Sequence, residues 1–462
     1  MNYSDKISSL ISQNILENNL ENTQVNSFVS KLTSSIEIEC ERMMWTKTYL
    51  QRESSVDFYS IYHPQNLLFQ DDIIDTSSIS KIFLNHQHLL ILGQGGTGKT
   101  TLLRHLFINC IVEDYKIPIW LTLRQLNGDT FYDPLKYISE QIFHLTSSEN
   151  ELLIKLFTSG SVILFIDGFD EVNYPLRSKL IQAIQSLAIN YSKCNILLSS
   201  RPHITSLILR NFSKLKIHPF TSKDIQEFIQ KQVSDENISA KIFNQILAQK
   251  KLPYSDILKS PLLLSVFILI FEHYSEIPKK QSSFYRSAFD ALYSHHDVLS
   301  KSSYQREKKS ELTKSEFEEL ISTIAFITLF EEVYQFTEDY FNAKLKTIAS
   351  KFNWLSYDSN DILHDLYVTI GILNRDGEYF QFIHQSMQEY FAAVFVCRFG
   401  YSSSEVFYIK ILESNKLNYS SKLESKLNFY ELLSELDTRN LFKYLIIPFL
   451  SNILKDTTVK SS

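Results

Sequence analysis

Cysteine is scarce in this sequence, and its few occurrences lie far apart. The chain of 462 residues has four cysteines and no C-x-x-C pair. They are Cys40, Cys110, Cys194 and Cys397. A disulfide framework or a zinc knuckle needs paired or closer spacings. We therefore expect reduced, buried thiols and no covalent scaffold.

Long apolar runs and an excess of basic charge are also missing. The longest apolar stretch, Pro261 to Phe271, is too short to span a bilayer as a helix. Residues 1–30 lack a basic start followed by an apolar run, so no secretory signal is visible. The net charge of −6 argues against a surface built mainly for nucleic acid or anionic membrane. The sequence thus predicts a soluble, cytoplasmic protein without a membrane partner, with roughly three domains for its length.

Glycine is scarce too, but it is concentrated in one place. Of ten glycines, four lie between residues 93 and 98. The stretch from Leu89 to Leu106 matches G-x-x-x-x-G-K-[ST] between a strand-like segment and a helical pattern. A simple glycine-rich turn is the alternative, but this context favours a phosphate-binding loop. The candidate phosphate-binding residues are Gly93, Gln94, Gly95, Gly96, Thr97, Gly98, Lys99, Thr100 and Thr101.

The chemistry of phosphate binding accounts for these residue types. A loop with little side-chain bulk lets successive backbone N–H groups turn inward around phosphate oxygens. Lys99 can reach the β- and γ-phosphates, and the Thr100 hydroxyl can ligate Mg²⁺. The helix that follows would point its N-terminus at the phosphates. Thr100 is therefore the first candidate metal ligand.

A second strand-like segment, Ser161 to Val172, carries candidate acids. Asp167 lies at the carboxyl end of its buried strand, where ligands of doubly wound sheets bind. This position suits a carboxylate that holds Mg²⁺ through water. Asp170 and Glu171 follow, and one of them could orient or deprotonate the attacking water. Their alternative role is as acids favoured at the N-terminus of the next helix.

A third strand-like segment, Cys194 to His203, ends in polar residues. Arg201 would lie beside the phosphates, where its charge could distinguish a γ-phosphate from its absence. A surface ion pair is the alternative for this arginine. The predicted catalytic residues are thus Asp170, Glu171 and Arg201, and the predicted metal ligands are Thr100 and Asp167.

Alternation of strands and helices predicts an α/β domain with a parallel sheet and helices on both faces. The expected strands are Leu89–Leu92, Pro118–Leu123, Ser161–Ile166, Ile196–Ser199 and Leu215–His218. Helical patterns with one hairpin signal at Asp376-Gly377 follow, and they suggest a winged-helix module. The expected regions are 1–78 (helical), 79–220 (nucleotide-binding), 221–281 (helical), 282–401 (winged helix) and 402–462 (small and helical).

Five motifs occur in one order: GQGGTGKTT, LFIDGFDEV, LLSSRP, SPLLL and FIHQSMQEYFAA. In this order they resemble a NACHT-domain protein of the STAND class of P-loop NTPases, related to prokaryotic NACHT proteins and NOD-like receptors. The resemblance covers Leu89 to Ala393. It implies an α/β P-loop NTPase followed by an α-helical lid (residues 221–281), a winged helix and a small helical C-terminal region. The acids displaced beyond Gly168 are similar to that family and unlike many other AAA-type ATPases.

The resemblance also implies a switch that rests closed on ADP, with Mg²⁺, and exchanges it for ATP when triggered. Pro261 would line the adenine pocket from the lid. His384 would reach the β-phosphate of ADP and latch the closed state, although a histidine between Phe382 and Phe391 is more often a core residue. The implied partner is the chain itself, in a trigger-dependent homo-oligomer.

Within the class, a short chain without a repeat array is similar to prokaryotic NACHT proteins, some of which act in antiphage defence. A phage component is then one candidate trigger. A separate effector protein is one candidate output, since no nuclease, protease or TIR motif is visible. The alternative hypothesis is a regulatory or remodelling ATPase that acts on nucleic acid through its winged helix, and the net charge weighs against it. A third hypothesis is a scaffold that uses nucleotide only for folding.

Overall fold

The chain folds into two compact units. A computed structural model describes residues 3–15, 22–46, 50, 55–93, 96–123, 133–169, 172, 174–200, 209, 211–248, 257–273, 278–299, 309–349, 358–376, 378–399, 404–414 and 426–451. The first unit comprises Met1–Lys250 with Asp256–Ile268, and the second comprises Lys251–Ser255 with Leu269–Ser462. The expected lid region is therefore divided between the two units.

The first unit begins with two helices and a short antiparallel ladder. Their bounds are α1 Tyr3–Gln13, α2 Asn22–Met44, β1 Trp45–Thr46, β2 Val56–Asp57 and α3 Phe58–Ile61. Ile7, Leu10 and Ile11 of α1 are buried, as their helical spacing predicts. The two long helices pack against each other, so this region is an integral layer of the first unit.

A seven-stranded sheet forms the centre of the first unit. Its strands are β3 Leu67–Phe69, β4 Asp72–Ile74, β5 His88–Leu92, β6 Ile117–Thr122, β7 Val162–Asp167, β8 Asn195–Ser200 and β9 Ser213–Ile217. They lie in the order β4-β3-β9-β5-β8-β7-β6. The five strands from β9 to β6 are parallel, which confirms the predicted sheet, whereas β3 and β4 pair antiparallel at one edge. The sheet thus includes two strands before residue 79, where the nucleotide-binding region is expected to begin.

Helices cover both faces of this sheet. Their bounds are α4 Ile79–Ile82, α5 Lys99–Val112, α6 Pro134–Tyr137 with a π-helical turn at Ile138–Ile142, α7 Ser147–Ser159 and α8 Tyr174–Asn190. On one face the ring of Phe107 in α5 contacts the rings of Trp120 and Phe165. On the other face Leu164 lies with Ile184 of α8 around one apolar space. Successive residues of a strand point to opposite faces of the sheet. Because helices cover both faces, the residues of a central strand must be apolar on both sides.

Three further helices follow the sheet: α9 Ser222–Gln232, α10 Glu236–Ala248 and α11 Pro261–His273. Thr221 caps α9 in a reciprocal capping box with Asp224, as the sequence TSKD predicts. The residues from Leu263 to Ile270 are all buried, as expected for a helix segment that is apolar on every side. Among the residues that the structure describes, no helix is both long and apolar enough to cross a bilayer.

The second unit combines helices with a small antiparallel sheet. Its elements are α12 Gln281–Leu299, α13 Lys314–Phe330, β10 Phe336–Thr337, α14 Glu338–Ala349, α15 Ser359–His364, β11 Leu373–Asp376, β12 Tyr379–Phe382, α16 Gln385–Val394, α17 Ser404–Ser414, α18 Leu427–Leu436 and α19 Thr438–Leu441. The strand order is β10-β12-β11. The hairpin predicted around Asp376 is present, while Gly377 lies outside the described residues. The expected winged-helix and C-terminal regions belong to this one unit.

All four cysteines are free thiols, as the sequence predicts. Cys40, Cys110 and Cys194 are buried, and Cys397 is half-buried. Burial raises the pKa of Cys40 to about 12 and that of Cys194 to about 11. These thiols are therefore protonated and unreactive at neutral pH.

Candidate functional site

The phosphate-binding loop connects β5 to α5 and needs glycine for its backbone shape. Gly96 has φ of 75° and Gly98 has φ of 92°, in the left-handed region that side chains with a Cβ disfavour. Gly98 caps α5, since its carbonyl accepts the first helical hydrogen bond from the Leu102 N–H at 2.8 Å. At the other end, the Gly93 N–H donates to the carbonyl of Ser200 at 3.2 Å. The loop is thus tied to the helix at one end and to β8 at the other.

Lys99 lies at the first position of α5 and spans the loop. Its Nζ donates to the carbonyl oxygen of Gly93 at 2.7 Å. The ammonium group is therefore held across the loop, beside the backbone that would surround the phosphates. The predicted contact of Lys99 with the β- and γ-phosphates stays a prediction.

Thr100 and Asp167 come together at the predicted metal site. The Thr100 hydroxyl donates to Oδ2 of Asp167 at 2.8 Å, although the residues are 67 positions apart in the chain. The Asp167 residue is 7% exposed. Both groups offer oxygen, the ligand type that Mg²⁺ prefers. The residues present therefore fit a magnesium–nucleotide complex, and bound Mg²⁺ would neutralise phosphate charge there.

Ser199 holds this carboxylate from the neighbouring strand. Because β8 lies between β5 and β7, its carboxyl end reaches both the loop and Asp167. The Ser199 hydroxyl donates to Oδ1 of Asp167 and accepts from the Gly168 N–H at 3.0 Å. Gly168 has φ of 82°, in the left-handed region that favours glycine. Asp167 thus keeps both oxygens in fixed positions, with one of them bonded to Thr100.

Arg104, in α5, carries a positive charge that interacts with Asp167. Burial lowers the pKa of this guanidinium and Arg42 lowers it further, whereas the negative charges of Asp167 and Glu39 oppose the shift. The arginine still carries its charge at neutral pH. It therefore contributes a favourable field for the Asp167 carboxylate, a role that nothing in the sequence pattern indicates.

Two other side chains that the sequence does not indicate hold the loop from outside. Nε2 of Gln65 donates to the carbonyl of Thr97 at 2.6 Å. The Ser260 hydroxyl donates to the carbonyl of Gly96 at 2.9 Å. These contacts join residues 32 and 164 positions apart. No local spacing could have indicated them, although Ser260 belongs to the SPLLL motif.

Five predicted site residues lie outside the described residues. They are Gln94, Gly95, Asp170, Glu171 and Arg201. Pro261 begins α11 directly after Ser260, so it starts beside the phosphate loop. The assignments of catalytic roles and of adenine contact stay predictions.

His384 lies in the second unit, where it caps α16. Its Nδ1 accepts from the Ser386 N–H at 3.1 Å. The imidazole is half-buried and has a local structural role within its own unit. Its proposed contact with ADP stays a prediction.

One family model matches part of the first unit. The family model described as NACHT domain matches residues 87–236, which confirms the resemblance inferred from the motifs. No curated protein matches the sequence.

Two solved structures are similar to the chain at low identity. A Walker-type ATPase of Pyrococcus abyssi is 14% identical, with a TM-score of 0.32, over 72% of this chain and 99% of that one. A signal transduction ATPase with numerous domains (STAND) and a tetratricopeptide repeat sensor, from Pyrococcus horikoshii, is 14% identical with a TM-score of 0.36. That match covers 83% of this chain and 48% of the other, so the chain spans about half the length of that protein.

Proposed function

We propose that this chain is a signalling ATPase whose bound nucleotide controls its assembly, because residues 87–236 match the NACHT domain model and carry a P-loop on a mostly parallel sheet. In this proposal the chain binds ADP at rest, exchanges it for ATP when triggered, and then forms a homo-oligomer. The observation that carries the proposal is the contact of Thr100 with Asp167 beside a loop spanned by Lys99. Those are the groups that a magnesium–nucleotide complex needs.

Each predicted residue has a distinct task in this function. The loop N–H groups and Lys99 bind the phosphates, and Thr100 with Asp167 holds Mg²⁺. Asp170 or Glu171 orients the attacking water or accepts its proton. Arg201 responds to the presence of a γ-phosphate. Hydrolysis then resets the switch, so turnover in the absence of a trigger is slow.

The change of state would involve the lid and the second unit. Pro261 contacts the base, and His384 contacts the β-phosphate of ADP and is withdrawn when the protein opens. A ligand can shift such an equilibrium only by binding one state better than the other. A histidine that donates to bound ADP in the closed state alone supplies that difference.

We propose antiphage defence as the biological setting, with a phage component as trigger and a separate effector protein as output. The test is to express the chain in a bacterial host and to count plaques over a panel of phages. The variant Lys99→Ala is compared with Lys81→Ala, which removes an exposed lysine paired with Asp75 at 2.6 Å. Protection by the wild type and by Lys81→Ala, and loss of protection in Lys99→Ala, supports the proposal.

Nucleotide content and turnover test the switch independently of defence. The purified wild type is expected to carry ADP and to hydrolyse ATP slowly, and Lys99→Ala is expected to carry none. Rapid steady turnover without any trigger would overturn the switch. Lack of protection against every phage would overturn the defence role alone.

A further inference from the structure

Two neighbouring peptide groups of the phosphate loop are held from outside by distant parts of the chain. Gln65 donates to the carbonyl of Thr97 at 2.6 Å. The carbonyl of Gly96 accepts from the Ser260 hydroxyl at 2.9 Å and from the Leu262 N–H at 3.4 Å. Both carbonyls are therefore oriented by groups outside the loop.

The orientation of a carbonyl determines the orientation of the next N–H. In a planar trans peptide the C=O and the N–H point in opposite directions. When Gln65 and Ser260 hold the carbonyls of Thr97 and Gly96 outward, the N–H groups of Gly98 and Thr97 point the other way. Successive N–H groups on one side of a loop form the concave site that binds phosphate.

Gln65 is itself fixed, so it can act as a rigid support. The residue is 4% exposed, and its backbone carbonyl accepts from the Thr76 hydroxyl at 2.7 Å. Its side chain lies so close to the loop that a Cβ at Gly98 would come within 2.0 Å of Oε1. Glycine at position 98 is thus required by the contact with Gln65 as well as by its positive φ.

We propose that Gln65 and Ser260 are positioning residues that preorganise the phosphate loop before nucleotide binds, an inference that rests on the proposed nucleotide binding. They act through the peptide groups of the loop and do not touch the nucleotide. A loop ordered in advance loses less conformational entropy on binding, and this raises affinity. Because Ser260 immediately precedes α11, the position of that helix and the affinity for nucleotide are linked reciprocally.

The test measures the dissociation constant of Mg-ADP for full-length variants freed of bound nucleotide. Gln65→Met keeps the length of the side chain but removes the donor, and Ser260→Ala removes the hydroxyl. Gln87→Met is the matched control, because the amide of Gln87 donates to the carbonyls of Lys193 and Cys194. We expect about fivefold to tenfold weaker ADP binding in the first two variants, the effect of one lost hydrogen bond. Gln87→Met is expected to bind as the wild type does.

Two further measurements separate positioning from a general loss of stability. The thermal midpoint of nucleotide-free Gln65→Met should lie well above the temperature of the binding assay, so that weaker binding is a property of the folded protein. Ser260→Thr, which retains a hydroxyl, should restore the affinity lost in Ser260→Ala. Wild-type affinity in both Gln65→Met and Ser260→Ala would overturn the inference, and if Gln65→Met does not fold, the Ser260 pair decides alone. A wild type that binds neither ADP nor ATP would instead overturn the proposed function.

Discussion

Glu389 is a buried carboxyl group in α16 whose ionisation should destabilise the second unit. The residue is 6% exposed. Burial raises its pKa from 4.5 to about 7, although hydrogen bonds from Asn428 and Gln385 act in the opposite direction. Nε2 of Gln385 donates to Oε1 at 3.2 Å, and Nδ2 of Asn428 donates to Oε2. A glutamine at this position keeps one oxygen for one of these donors and places an NH₂ group opposite the other, a cost that does not depend on pH.

The sign and size of the effect follow from linkage. The folded protein binds the proton of Glu389 more tightly than the unfolded chain does. Its stabilising contribution is complete below pH 4.5 and is lost as the pH rises through about 7. A shift of 1 pKa unit corresponds to 1.36 kcal/mol, so the loss between pH 5 and pH 8 is about 2 to 3 kcal/mol.

The variant Glu389→Gln tests this directly, because it is nearly isosteric and cannot ionise. We expect the free energy of unfolding of the wild type to fall relative to that of the variant by about 2 to 3 kcal/mol from pH 5 to pH 8. Chemical denaturation followed by circular dichroism at several pH values measures it. Glu405→Gln is the control, since Glu405 is exposed in the same unit. Parallel stability curves for the wild type and Glu389→Gln would refute the reasoning.

Three other substitutions test the first unit. Asp167→Asn removes the carboxylate that would hold the metal, so the affinity for ADP should be the same with Mg²⁺ as with a chelator. Titration calorimetry measures this affinity, and a retained dependence on Mg²⁺ would contradict the prediction. Gly98→Ala should abolish ADP binding and lower the free energy of unfolding by about 2 kcal/mol. The reason is that a residue with a Cβ is strained at φ 92° and clashes with Gln65. Wild-type stability of the variant in thermal unfolding would exclude this. Burial alone would raise the pKa of Glu149, but hydrogen bonds from Lys31 and other donors lower it to about 2. The ionised Glu149 therefore stabilises the fold fully above pH 4.5, and this contribution is lost as the pH falls through about 2. Glu149→Gln should therefore cost about 1 to 3 kcal/mol at pH 7, and this cost should shrink as the pH falls through about 2. Equal denaturation midpoints of the wild type and the variant at pH 7 would contradict it.

The parallel strands and the core of the site were predictable from sequence. Each strand is a short apolar run, and a fully buried strand has few other compositions available. Asp167 could be placed because it ends such a run, and Lys99 and Thr100 because their spacing from the glycines is set by phosphate geometry. These features depend on neighbours along the chain.

The supports of the site were not predictable, because they depend on neighbours across the fold. Gln65 acts through one hydrogen bond and Ser199 through two, all of them to residues at least 31 positions away. The antiparallel strands β3 and β4 have only three residues each, too few for a periodic pattern. His384 was also ambiguous in the sequence, because a histidine that caps α16 has no pattern that separates it from a histidine in the core.

The strand order also has a consequence for the synthesis of the chain on the ribosome. The strand β5 pairs only with β8 and β9, and both are translated more than 100 residues after it. Until then this fully buried strand has neither neighbour, while β6 and β7 can already pair with each other. Contacts between distant segments form late because the intervening chain must first be closed into a loop. The phosphate loop has the clearest signature in the sequence, yet it should be among the last parts of the first unit to become ordered. The apolar strand β5 that precedes it should be bound by chaperones during translation.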